Sequence, residues 1–195
     1  MEKILIFGDS ISHGNNDLDM GGWAGRLQNS FPEAEVRNFS IDGGTTEDVL
    51  RIVRARAKDF QGKILVIFAI GINDSALLRP KMAPMVAEEQ FISNLERMAD
   101  EARMFAENLF FVGITNVDES KTRPVEWEPD IFYSNVEIKR YNGLLKSFAE
   151  KHNFIFVDVF EKLAREDIDD GVHPNAAGHE KIETLIVESL NLSFS

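Results

Sequence analysis

The 195-residue chain is the size of one domain, and its 44% hydrophobic content, with 15 phenylalanines, supplies a sizeable core. Its 33 acidic and 21 basic residues give a net charge of −12, which disfavours nucleic acid or an anionic membrane surface as main partner, since both reward positive charge. The chain has no cysteine, which excludes disulfides, thiolate catalysis and Cys-based metal sites.

Residues 3–7 form a short apolar run that reads as a strand and is too short for a secretory signal. Trp23, Leu27 and Phe31, four apart, mark a helix with Trp23 in the core. A second strand is expected over 35–39, then a helix with Val49, Ile52 and Val53 on one stripe. The third strand, 63–70, includes the longest apolar run, which suits a buried strand and not a membrane span. Phe91, Leu95, Met98, Ala102 and Phe105 predict one long amphipathic helix, followed by a strand over 108–115. Ser134 and Glu137 form a capping-box pattern that opens a helix to about His152. A fifth strand is expected over 154–159. A last helix follows from about Asn175 to Leu190, with Ile182, Leu185 and Ile186 inward. His152 and His179 read as surface groups on these helices.

Five such strands alternating with helices predict a single domain, 1–195, built as a three-layer α/β/α sandwich on a five-stranded parallel sheet. Two connections are longer than that fold needs. Residues 75–87 carry Leu77, Leu78, Met82 and Met85; residues 116–133 carry Trp127, Phe132 and Tyr133. Each reads equally as a functional loop, as peripheral packing or as a contact between copies of the chain, so a homo-oligomer is compatible with the sequence.

Ligands of open parallel sheets bind outside the carboxyl ends of the strands. The segments expected there carry the parts of acyl transfer. Ser10 in Gly8-Asp9-Ser10 is a hydroxyl nucleophile, and His173 is a base that changes charge near working pH. Asp170, three residues before it, can fix the imidazole tautomer. The backbone N–H groups of Ser10 and Gly43 and the side-chain amide of Asn73 can form an oxyanion hole. His13, near Ser10, and the apolar Leu77, Leu78 and Met82 are candidate substrate-binding residues. Asp9 and Asp74 read as loop scaffolding. A metal-dependent phosphoesterase using Asp9, Asp74, Asp170 and His173 is a competing reading, but the spacing is not that of a metal site and Ser10 is left idle. A non-catalytic binding module of the same fold is a second.

Four blocks in this order make the chain resemble the GDSL, or SGNH, hydrolase superfamily: Gly8-Asp9-Ser10-Ile11, the stretch from Asn38, Gly71-Ile72-Asn73-Asp74, and Asp170-Gly171-Val172-His173-Pro174. The pattern departs from the family at Ile11, usually Leu, and at Ser40, usually Gly. The resemblance implies a flavodoxin-like fold and ester hydrolysis without metal or organic cofactor, with Ser10, Gly43, Asn73 and His173 as the named residues and Asp170 completing the triad. Gly44 adjoins Gly43, and the sequence leaves both open as the donor. A small-molecule ester is the expected partner. A soluble, cytoplasmic protein with no stable membrane insertion is expected.

Overall fold

β-branched and aromatic runs covered on both faces set the sheet. In the computed structural model, which describes residues 2–17 and 19–193, β1 (Lys3–Gly8) is followed by the one-turn α1 (Ser10–His13) and by α2 (Gly22–Ser30). Then come β2 (Glu35–Asn38), α3 (Thr46–Arg56) and β3 (Ile64–Ala69). A hairpin of β4 (Leu77–Leu78) and β5 (Ala83–Pro84) precedes α4 (Glu88–Arg103) and β6 (Asn108–Val112). The chain closes with β7 (Ile131–Phe132), α5 (Asn135–Lys151), β8 (Ile155–Val157) and α6 (Ala176–Ser193).

The main sheet has the order β2-β1-β3-β6-β8, with every pairing parallel. Right-handed crossovers put α2 and α6 on one face, packed on each other, and α3, α4 and α5 on the other. The register sets Phe7 beside Phe68 and Phe68 beside Phe111, so three rings cross adjacent strands at 5.9 and 5.2 Å. Phe148 of α5 meets Phe111 edge-on at 5.4 Å, which ties the ladder to the helical layer. The phenylalanine content is thus spent largely on one side of the sheet.

The helices keep the predicted stripes. Ser134 caps α5 by accepting from the Glu137 N–H at 3.3 Å, while the Glu137 carboxylate turns to Arg140 at 3.0 Å. The two long connections do something the sequence did not suggest: they pair with each other. β4 lies between β5 and β7 in a small antiparallel sheet, with Leu77 opposite Phe132 and Leu78 opposite Ile131. Among the described residues no helix is long and apolar enough to cross a membrane.

Candidate active site

β1 sits between β2 and β3, so the connections leaving β1 and β3 diverge and open a crevice at their carboxyl ends. β1 ends at Gly8, where an added Cβ would stand 2.4 Å from Ala69 O and 2.5 Å from Ser12 Oγ, so only glycine fits. Asp9 then caps α1 by accepting the Ile11 N–H at 3.0 Å, which puts Ser10 at the first helical position. Asp9 is buried; burial pushes its carboxyl up to about 7, against the pull of the Ile11 N–H and of His173.

The second block is tied to the first. Asn38 donates from its amide to Ser12 O at 2.7 Å, and the Ile41 N–H donates to Gly8 O at 3.1 Å. Ser40, the departure from the family pattern, is buried, and its N–H donates to Asn38 Oδ1 at 3.0 Å. The Gly44 N–H donates to Ile41 O at 3.1 Å, which closes a turn that needs Gly43 in the left-handed region, at φ 67°. The Gly44 N–H is therefore engaged inside the turn, and Gly43 is the glycine that lines the cleft.

In the third block Asp74, fully buried, accepts from the Thr46 N–H at 3.1 Å and from its hydroxyl at 2.5 Å, fixing the end of β3 to the start of α3. Asn73 donates from Nδ2 to Gly44 O at 2.9 Å and accepts the Tyr133 hydroxyl at Oδ1, 2.7 Å.

The fourth block brings His173 and Asp170. Ser10 Oγ lies 2.8 Å from His173 Nε2, and His173 Nδ1 lies 2.7 Å from Asp170 Oδ2. Asp170 also accepts the N–H groups of Val172 at 2.9 Å and His173 at 2.8 Å, and the Asn16 amide at 3.1 Å. Burial alone would raise its carboxyl, but these bonds, led by the His173 ring, hold it far below the usual carboxylate range. An ionised Asp170 places the imidazole proton on Nδ1 and leaves Nε2 to accept from Ser10. The arrangement can abstract a hydroxyl proton and stabilise the imidazolium that results.

Ser10, Gly43, Asn73, Asp170 and His173 line one open cleft of about 480 Å³, together with Asn15, Asn16, Asp42, Trp127 and Tyr133. Trp127, half exposed, lies with its ring centre 5.6 Å from that of His173. His13 stands at the rim, with Nδ1 2.8 Å from Asp42 Oδ1, and does not itself line the cleft. Leu77 and Leu78 are held in the small sheet, and Met82 is exposed in the hairpin turn; none of the three lines the cleft. The pairing of β4 with β7 gives the rim to the second loop instead of the first. Asn15, Asn16, Asp42, Trp127 and Tyr133 line the cleft without having been expected there as site residues. Only the unexplained aromatics of the second loop hinted at them. Among the described residues no cluster of three or more His, Asp or Glu side chains is placed to hold a metal ion, and Asp9 and Asp74 accept bonds from the Ile11 and Thr46 N–H groups.

His179 corrects a sequence expectation. It is fully buried, not a surface group, and it braces the loop behind the cleft. Its Nδ1 accepts the Trp23 N–H at 3.3 Å and its Nε2 donates to Asn15 O at 3.0 Å. A proton on Nδ1 would face the Trp23 donor. Burial, aided by Arg26 and His173 and opposed by the Asn15 carbonyl, pushes the ring down to about 4. His152 is also partly enclosed, between Phe148 and Phe154, with Nε2 2.9 Å from Glu96. Between pH 6.5 and 4 the unfolded chain protonates position 179 and the folded chain does not. The contribution of His179 is therefore full above pH 6.5 and should fall by about 3 kcal/mol as the pH drops through 4. Asp9 and Asp74, pushed up to about 7 and about 6 by burial, have the opposite sign, so the effect is read by difference. Denaturant unfolding should show the stability gap between wild type and His179→Asn shrinking on acidification; a gap independent of pH would contradict it.

A family model described as "GDSL-like Lipase/Acylhydrolase family" matches residues 6–181. A multidomain esterase of Ruminococcus flavefaciens is 39% identical over 61 residues, which are 29% of this chain and 8% of that protein's length. A member of the lipolytic protein G-D-S-L family from Veillonella parvula has a similar structure, with a TM-score of 0.76 at 18% identity over 96% of this chain and 97% of that one. An acetylxylan esterase from Geobacillus stearothermophilus gives a TM-score of 0.68 at 20% identity, covering 97% and 94%.

Proposed function

The chain belongs to the GDSL-like lipase/acylhydrolase family and is an ester hydrolase, and we propose that it cleaves short acyl esters through an acyl-enzyme on Ser10. The observation that carries this reading is the unbroken series Ser10 Oγ to His173 Nε2 at 2.8 Å and His173 Nδ1 to Asp170 at 2.7 Å, opening on a solvent-accessible cleft. Ser10 attacks the carbonyl carbon while His173 takes its proton. The negative oxygen is held by the N–H groups of Ser10 and Gly43 and by the N–H of Asn73 that Gly44 O does not use. His173 then returns its proton to the departing alcohol, and water repeats the sequence on the acyl-enzyme.

The side chains that line the cleft support a preference for a short acyl group. Apart from the rings of Trp127 and Tyr133, the residues around Ser10 are polar or glycine. Each methylene of a longer chain left against such walls forgoes about 0.8 kcal/mol of burial. A series of nitrophenyl esters from acetyl to dodecanoyl tests this. kcat/KM should be highest for the two- to four-carbon acyl groups, roughly the span over which such walls cost little. An optimum at octanoyl or beyond would sink the short-acyl reading and favour a lysophospholipase or long-chain thioesterase.

A further inference from the structure

A side-chain amide serves an oxyanion in only one of its two flips, because the reversed group presents a carbonyl oxygen to the developing charge. Asn73 is buried, and two bonds specify its orientation. Gly44 O accepts from Nδ2 at 2.9 Å, and the Tyr133 hydroxyl donates to Oδ1 at 2.7 Å. With the amide reversed, Oδ1 would face the carbonyl oxygen of Gly44, and the Tyr133 hydroxyl would lose its acceptor. The second N–H on Nδ2 is then the one left for the cleft.

Tyr133 is well placed to hold that setting. It is 5% exposed, and it ends the long second connection directly after β7, which pairs with β4. Its N–H donates to Thr122 O at 3.0 Å, and the buried Thr122 hydroxyl donates back to Tyr133 O at 2.9 Å. Burial, together with the charges of Asp9 and Asp170, pushes the phenol well above its ordinary range, so it stays a donor at any working pH.

We propose that Tyr133 is a positioning residue for the oxyanion hole, fixing the Asn73 amide so that one N–H points at the reacting carbonyl. The proposal rests on Asn73 being an oxyanion donor, and it gives the small second sheet a function: it anchors the residue that aims the amide.

The test is a double-mutant cycle on a nitrophenyl acetate substrate, with wild type, Tyr133→Phe, Asn73→Ala and the double variant. Asn73→Ala should lower kcat on the order of a hundredfold to a thousandfold. Tyr133→Phe should lower kcat by about tenfold with KM nearly unchanged, which is the loss of one well-made hydrogen bond. In the Asn73→Ala background the same Tyr133→Phe change should cost less than about twofold, since there is no amide left to orient. An equal loss from Tyr133→Phe in both backgrounds, or a rise in KM with kcat intact, would overturn the proposal and make Tyr133 a general structural or substrate-contact group. If Asn73→Ala itself leaves kcat within about twofold, the oxyanion reading fails, and this proposal with it. Proton NMR of the wild type supplies an arm that needs no variant. The Tyr133 hydroxyl proton should exchange slowly and show a cross-peak to the Asn73 amide; exchange at the solvent rate would overturn the proposal.

Discussion

The Ser10→Ala variant should lose about a millionfold in kcat on a short acyl ester while keeping the fold of the wild type. Among the described residues Ser10 is the only hydroxyl set against His173 Nε2, at 2.8 Å, and in the proposed mechanism His173 and Asp170 act only through it. Triad members work as a unit, so removing the nucleophile forfeits nearly all that the base and its carboxylate contribute; what survives comes from the oxyanion donors and from binding. Among the described residues the Ser10 hydroxyl bonds to His173 alone, and alanine fits its helical position, so thermal unfolding should change little. Steady-state rates on purified, folded variant check this. Activity within about tenfold of wild type would mean that another group attacks the ester.

Asp170→Asn should cost about ten-thousandfold in kcat, with little effect on folding. The reason lies in what Asp170 accepts. One oxygen takes the N–H groups of Val172 and His173, and the other takes His173 Nδ1 and the Asn16 amide. An asparagine that keeps its oxygen on the two backbone donors turns its NH2 toward His173. The ring then has to accept at Nδ1 and carry its proton on Nε2, facing Ser10, where it cannot act as a base. Reversing the amide spares the ring but sets NH2 against two backbone N–H groups. The first orientation removes the working tautomer, and the second, which keeps it, is disfavoured because two backbone N–H groups lose their acceptor. A loss smaller than about tenfold would show that His173 is oriented by something other than Asp170.

The sheet, its helices and the four blocks gathered at the cleft were legible in the sequence because each is a local signal. Apolar runs such as 64–70 read as buried strands, and Gly8-Asp9-Ser10 or Asp170-Gly171-Val172-His173 keep their meaning within a few residues. Once the fold class is known, the carboxyl-end rule gathers them. The choice between Gly43 and Gly44 was not legible, because it turns on which N–H the Ile41 carbonyl consumes. The small sheet was hidden for a different reason. Strands of two residues have no periodicity, and the pairing of Leu77 with Phe132 spans 55 positions. Hence the aliphatic Leu77, Leu78 and Met82 drew attention, whereas the cleft is walled by Trp127 and Tyr133. His179 is a different kind of miss. Its steps to Ile182, Ile186 and Leu190 are three, four and four, the buried stripe of α6, a spacing that was there to be read in the sequence.

Ser10 as the nucleophile is tested most directly by treating the folded protein with a fluorophosphonate and locating the adduct by peptide mass spectrometry. One phosphonyl group should appear, on Ser10, with loss of esterase activity in step with labelling and no labelling of Ser10→Ala. Full esterase activity in protein that carries the adduct on Ser10, or inactivation through an adduct on any other residue, would contradict it.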